Sequence, residues 1–188
     1  MKKMMMIAVM MVATMTASAQ QATGSWSLTP KVAMNLANLS GDISGNNMKV
    51  AVAAGADVMY QINSMVGVSA GLMYSMQGCN GDNDLKLNYD FLNIPVLANI
   101  YVAPNFALKA GLQPGFVASA KWKQDKHEVD VKDNLQTIEL SVPIGASYEF
   151  SDFVIDARYN LGLAKINKGS GSIRNSVFQI SVGYKIPF

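Results

Sequence analysis

The stretch Asn175–Phe188, NSVFQISVGYKIPF, alternates without a break over fourteen residues. Phe178, Ile180, Val182, Tyr184, Ile186 and Phe188 share one side with Ser176, while Asn175, Val177, Gln179, Ser181, Gly183, Lys185 and Pro187 share the other. Successive Cβ atoms of a strand point to opposite sides of the pleat, so this period specifies a β-strand. Strands of ordinary sheets run to about 5–6 residues, whereas a tilted strand needs roughly 9–11 to cross a bilayer. This one is long enough to cross. Its apolar, increasingly aromatic side suits lipid, and its small, polar side suits a packed interior.

Seven more alternating segments precede it, beginning near Trp26, Lys49, Met65, Leu85, Phe106, Leu135 and Phe153. Long polar connections (Asn38–Asn47, Gly78–Asp84, Trp122–Asn134, Lys165–Ile173) alternate with tight turns at Asn63-Ser64, Ala103-Pro104-Asn105 and Ser151-Asp152. Short turns at one end and longer loops at the other form the pattern of an all-β, eight-stranded antiparallel up-and-down transmembrane β-barrel, with the turns periplasmic. Closing the sheet leaves no edge for lipid to face. Aromatic residues sort towards two levels: Trp26, Tyr60, Tyr101, Phe106, Phe150, Phe153 and Phe188 at the turns, and Tyr74, Phe116 and Trp122 near the loops. The fourth segment, Leu85–Val102, is irregular, because Phe91 and Leu97 fall on the inward side. Either a bulge shifts the phase near Asp90 or the lumen is partly apolar there.

Composition agrees with a membrane barrel. Half the residues are hydrophobic but only 15% are charged, against about 25% in soluble domains, and outside the N-terminus no apolar run is long enough for a spanning helix. A soluble lipocalin-like barrel would put the apolar residues inside around a ligand. Here the charges and glutamines share the glycine-rich side. The net charge of +2 gives no case for nucleic acid, and one cysteine, Cys79, allows neither an intrachain disulfide nor a cysteine metal site.

Residues 1–19 have the layout of a signal peptide. Lys2 and Lys3 form a basic start, Met4–Ala13 an apolar core, and Ala17-Ser18-Ala19 a small-residue motif for cleavage after Ala19. The expected division is therefore 1–19 as signal peptide and 20–188 as barrel, delivered to the outer membrane of the cell.

The stretches KVAMNLANLSGD (Lys31–Asp42), NYDFLNIPVLANIYV (Asn88–Val102), FALKAGLQPGFVASAK (Phe106–Lys121), DFVIDARYNLGLAKI (Asp152–Ile166) and VFQISVGYKIPF resemble the PorT-like outer-membrane β-barrel domain, also called porin family proteins. The resemblance spans nearly all of the mature chain. It implies an outer-membrane barrel and carries no catalytic residue.

Inward positions collect Lys31, Lys109, Arg158 and Lys185 against Asp57, Glu139, Glu149 and Asp156. Eight strands leave an interior only wide enough for side chains, so these charges read as a paired plug or, alternatively, as a gated ion path. Lys109 and Glu149, each a few residues from a turn, are expected to pair, with Asp156 and Arg158 beside them. His127, in KWKQDKHEVDVKD, has no nucleophile elbow to serve, and the acids of that loop lack a Ca²⁺-loop spacing. No catalytic, cofactor or metal residue is expected. By resemblance to outer-membrane barrels generally, Tyr184, Ile186 and Phe188 form the signal read by the barrel-assembly machinery. Other partners implied are outer-membrane lipid, lipopolysaccharide facing the loop lysines, and a protein met through the extracellular loops. The function so read is structural or interacting, a scaffold or assembly subunit; the alternative is a narrow channel for small solutes.

Overall fold

The computed structural model describes residues 22–41, 47–80, 86–124, 127–130, 138–163 and 173–188. The expected signal peptide and its cleavage point lie outside them. The strands are β1 (Trp26–Gly41), β2 (Asn47–Gln61), β3 (Val66–Asn80), β4 (Lys86–Asn93), β5 (Val96–Ala103), β6 (Phe106–Gln124), β7 (His127–Asp130), β8 (Ile138–Phe150), β9 (Phe153–Gly162), β10 (Ile173–Tyr184) and β11 (Ile186–Pro187). All pair antiparallel, and β1 closes on β10 from Lys31↔Gly183 to Gly41↔Ile173. The result is a closed eight-stranded barrel.

Eleven segments make eight crossings because some crossings are interrupted. β4 and β5 form one crossing, both lying between β3 and β6. Pro95 separates them because it has no amide hydrogen to give the ladder. Its carbonyl still accepts from Gly71 N at 2.9 Å, and Ile94 N reaches Pro114 O at 2.9 Å. β11 continues β10 along β1, so the terminal strand is broken at Lys185 rather than continuous. The backbone amide of Lys185 instead donates to Asp152 O at 2.6 Å.

The alternation sorts the two faces. Val32, Val50 and Leu72 are 65, 64 and 52% exposed, whereas Asn35, Gln61 and Asn99 are sealed inside. Apolar residues outside and amides inside exclude the lipocalin arrangement. The irregular fourth crossing shows both anticipated features. Phe91 and Leu97 are buried in the lumen, and a register shift does occur, but on the facing strand. Asp90 opposes Ser119 while Phe91 opposes Val117, so Ala118 is extra. Ala120, rather than Ser119, then joins Val117 among the buried side chains.

Three loop boundaries need correction. β1 reaches Gly41 and β2 begins at Asn47, so both ends of the expected Asn38–Asn47 loop are strand, and residues 42–46 lie outside the described residues. β3 extends to Asn80, past the expected loop start at Gly78. The charged stretch after Trp122 forms a hairpin, with Lys121, Lys123 and Gln124 of β6 opposite Asp130, Glu128 and His127 of β7. Ladder hydrogen bonds continue into water where no apolar period is needed to sustain them. Tyr101 also moves: it is 4% exposed and points into the lumen rather than lining the rim. At that rim Trp26 meets Tyr60 at a tilt of 44° (centroids 4.9 Å apart) and Phe153 meets Tyr184 edge-on at 5.4 Å. Tyr74 and Phe116 face out near the loops; the side chain of Trp122 lies outside the described residues.

Two inward glycines mark how tightly the wall is drawn. A Cβ on Gly71 would lie 2.0 Å from Asp57 Oδ1, and one on Gly145 would lie 2.3 Å from Ala157 O and 2.6 Å from Arg158 Cα. The contact at Gly145 is with backbone, which cannot turn aside. Gly145→Ala is therefore expected to destabilise the detergent-solubilised barrel by about 1–3 kcal/mol, the usual cost of overpacking, read from urea unfolding. An unchanged midpoint would show that the strands are not this close.

Candidate functional site

The barrel interior holds all eight inward charges singled out from the sequence. Seven lie in the half nearer the turns. Lys31 on β1 and Asp57 on β2 form a buried ion pair. Asp156 on β9 takes Lys109 Nζ at 2.7 Å on one oxygen and Arg158 Nε at 2.8 Å on the other. Glu149 on β8 takes Lys185 Nζ at 2.7 Å and the Tyr101 hydroxyl at 2.6 Å. Two of these ion pairs reach beyond neighbouring strands. Lys109–Asp156 passes over β8, and Lys185–Glu149 passes over β9. They therefore tie the wall across the lumen, where backbone ladders tie it only around the circumference.

The expected Lys109–Glu149 pair does not form. Lys109 stands opposite Gly145, four positions along β8 from Glu149, roughly 13 Å at the rise of an extended strand. Counting residues up from each turn ignores the stagger that tilts strands in a barrel, and the stagger brings Lys109 to Asp156 instead. Glu139 is in the lumen as expected but stands apart from the other seven charges. It lies towards the loops, accepts from Asn175 Nδ2 at 3.3 Å, and has no basic partner among the described residues.

The loop half is held mainly by amides. Gln179 Nε2 donates to Asn35 Oδ1 at 2.8 Å, and Asn35 Nδ2 donates to Ser75 Oγ at 2.9 Å. Gln77 Nε2 shares that hydroxyl at 2.9 Å and accepts from Asn175. Lys49, which was not among the candidates, donates to Gln77 O at 3.0 Å and to Asn88 Oδ1. Its inward parity with Ala51 and Ala53 was the available signal. Tyr101 was missed as a lumen residue although Leu97 and Asn99 share its parity. Met73, Phe91 and Leu97 fill the β3–β5 side.

Amid the charges, a cavity of about 30 Å³ remains, bordered by Lys31, Asp57, Lys109, Glu149, Asp156 and Lys185 among others. A water needs at least about 10–15 Å³, so this space takes one or two small guests. At the chain end, Tyr184, Ile186 and Phe188 all face outward. The backbone of Phe188 exchanges hydrogen bonds with Trp26 at 2.9 and 3.4 Å, and the Tyr184 hydroxyl donates to Asp152 at 3.2 Å. His127 and Cys79 lie on β7 and β3, with side chains outside the described residues.

The family model for the outer membrane protein beta-barrel domain matches residues 18–168. No curated protein matches the chain. Among solved structures, the fold is similar to Ail, the attachment invasion locus protein of Yersinia pestis, solved in complex with the heparin analogue sucrose octasulfate. Identity is 16% over 88% of this chain and 100% of that one, with a TM-score of 0.58. Neisserial surface protein A is similar at 16% identity over 86% of this chain and 97% of that one, with a TM-score of 0.54.

The pairing makes a specific demand on double substitutions. Removing one member of a buried pair costs about 3–5 kcal/mol, because the other charge is left uncompensated. Asp156→Asn and Glu149→Gln should each destabilise the barrel. Lys185→Met should recover part of the Glu149→Gln loss, whereas Lys109→Met combined with Glu149→Gln should be additive. Recovery in the Lys109/Glu149 combination, measured by urea unfolding, would contradict the observed partners.

Proposed function

The chain belongs to the outer membrane protein beta-barrel domain family, and we propose that it is a closed barrel acting through what its outer loops and surface bind. It resides in the outer membrane. The observation that carries the closed reading is the pair of strand-skipping ion pairs, Lys109–Asp156 and Lys185–Glu149, beside a cavity of about 30 Å³. A solute path needs continuous room that these side chains occupy.

In this reading the narrower PorT-like likeness, supported by the strand and turn motifs, describes the branch of the family. The chain is exported with residues 1–19 removed after Ala19. Tyr184, Ile186 and Phe188 present an outward aromatic end to the assembly machinery. Lysines of the β6–β7 hairpin approach lipopolysaccharide or a protein partner, a role supported by the extension of these strands past the crossing. Seven of the eight lumen charges are engaged with one another, which supports a structural rather than an enzymatic role.

Planar-bilayer recording tests the closed reading. The purified wild-type protein should insert without opening current steps, whereas the Lys109→Ala/Asp156→Ala double variant should conduct. Regular current steps from the wild type would favour the channel instead.

A further inference from the structure

The paired charges of the turn half do not balance. Lys31, Lys109, Arg158 and Lys185 carry four positive charges; Asp57, Glu149 and Asp156 carry three negative ones. Glu139, which would balance them, sits six positions along β8 from Gly145, the residue facing Arg158, about 20 Å away along the strand. Other nearby acids lie at the solvent rim. Asp152 is in an exposed turn. One positive charge is thus left in a space where uncompensated charge is costly.

Two further observations point to what meets it. Arg158 is 1% exposed, and both of its terminal nitrogens, Nη1 and Nη2, are buried without a hydrogen-bond partner. The cavity of about 30 Å³ is bordered by Lys31, Lys109 and Lys185, and Lys109 keeps 12% of its side chain exposed there. Asp57, Asn99 and Ser181 also border the cavity, each with one buried oxygen that, like the Arg158 nitrogens, has no hydrogen-bond partner. Each lysine has three ammonium hydrogens and spends one on its carboxylate. The cavity offers lysine donors and room for one small guest; its lining sets three lysines against three carboxylates, and the excess positive charge of the turn half is Arg158, which adjoins Asp156 but does not border the cavity.

We propose that the lower lumen binds a single monovalent inorganic anion, such as chloride, among Lys31, Lys109 and Lys185. The anion completes the charge balance of the plug and stabilises the folded barrel. A halide fits better than an oxyanion because the cavity is small. This site is independent of what the outer loops bind.

The test uses the folded barrel in detergent micelles at fixed ionic strength, with bromide replacing gluconate stepwise. An anion that binds only the folded state multiplies the folded population by one plus its concentration over Kd, about tenfold near ten Kd. The unfolding midpoint should rise with bromide and saturate, and crystals soaked in bromide should show an anomalous peak touching the lysine ammonium groups. Asn99→Asp adds the missing negative charge beside the cavity with almost no change in volume, and Arg158→Met removes the excess positive one. In either variant the bromide dependence should vanish. Equal stability in bromide and gluconate would overturn the proposal. A peak without any bromide effect on stability would mean an adventitious ion only, and would also overturn it. So would a lysine that titrates near neutral pH with no halide bound, since loss of a proton would then supply the balance.

Discussion

A peptide group in hydrocarbon has no water to bond, so every amide and carbonyl that crosses the bilayer must find another. A sheet can meet that condition only by closing on itself. Pairing of β1 with β10 does so here, and the other features follow from it. Closure of eight strands sets a narrow interior, the narrow interior demands glycine where strands crowd, and charges placed there must meet charges.

The interior differs from the wall in the reach of its bonds. Ladder hydrogen bonds join each strand to its neighbours, whereas Lys109–Asp156 and Lys185–Glu149 skip one. Glu149 also gathers Tyr101 from β5. The side chains therefore brace the turn half by bonds that skip a strand, and Lys185 brings the segment between β10 and β11 into that brace. The loop half uses neutral amides from Asn35, Gln77, Asn175 and Gln179. A charged floor thus lies beneath a mainly amide-lined upper lumen.

The faces of the strands were legible because a period of two leaves little freedom: a slip of one residue turns the whole apolar side inward. The eight inward charges were placed for the same reason. Their partners were not legible, since partner choice depends on the stagger between strands, and no single segment encodes it. The extra residue at Ala118 was hidden on β6, whose own pattern is regular up to Val117, although its effect was visible as a doubt about the facing strand. The β6–β7 hairpin was missed because charged residues outside the membrane give no apolar period, while backbone pairing continues all the same. Tyr101 was placed by its chemistry, as an aromatic near a turn, when its parity already pointed inward.

The central claim is that Lys109 and Asp156 form a fixed pair that closes the lumen. Solid-state NMR on the protein in lipid bilayers can read it directly, as the dipolar coupling between Lys109 Nζ and the Asp156 carboxyl carbon. The 2.7 Å contact between Nζ and Oδ2 should give a strong coupling there and none from Lys109 to the Glu149 carboxyl carbon. A Lys109 ammonium that exchanges freely with bulk water and couples to no carboxyl carbon would contradict a closed lumen.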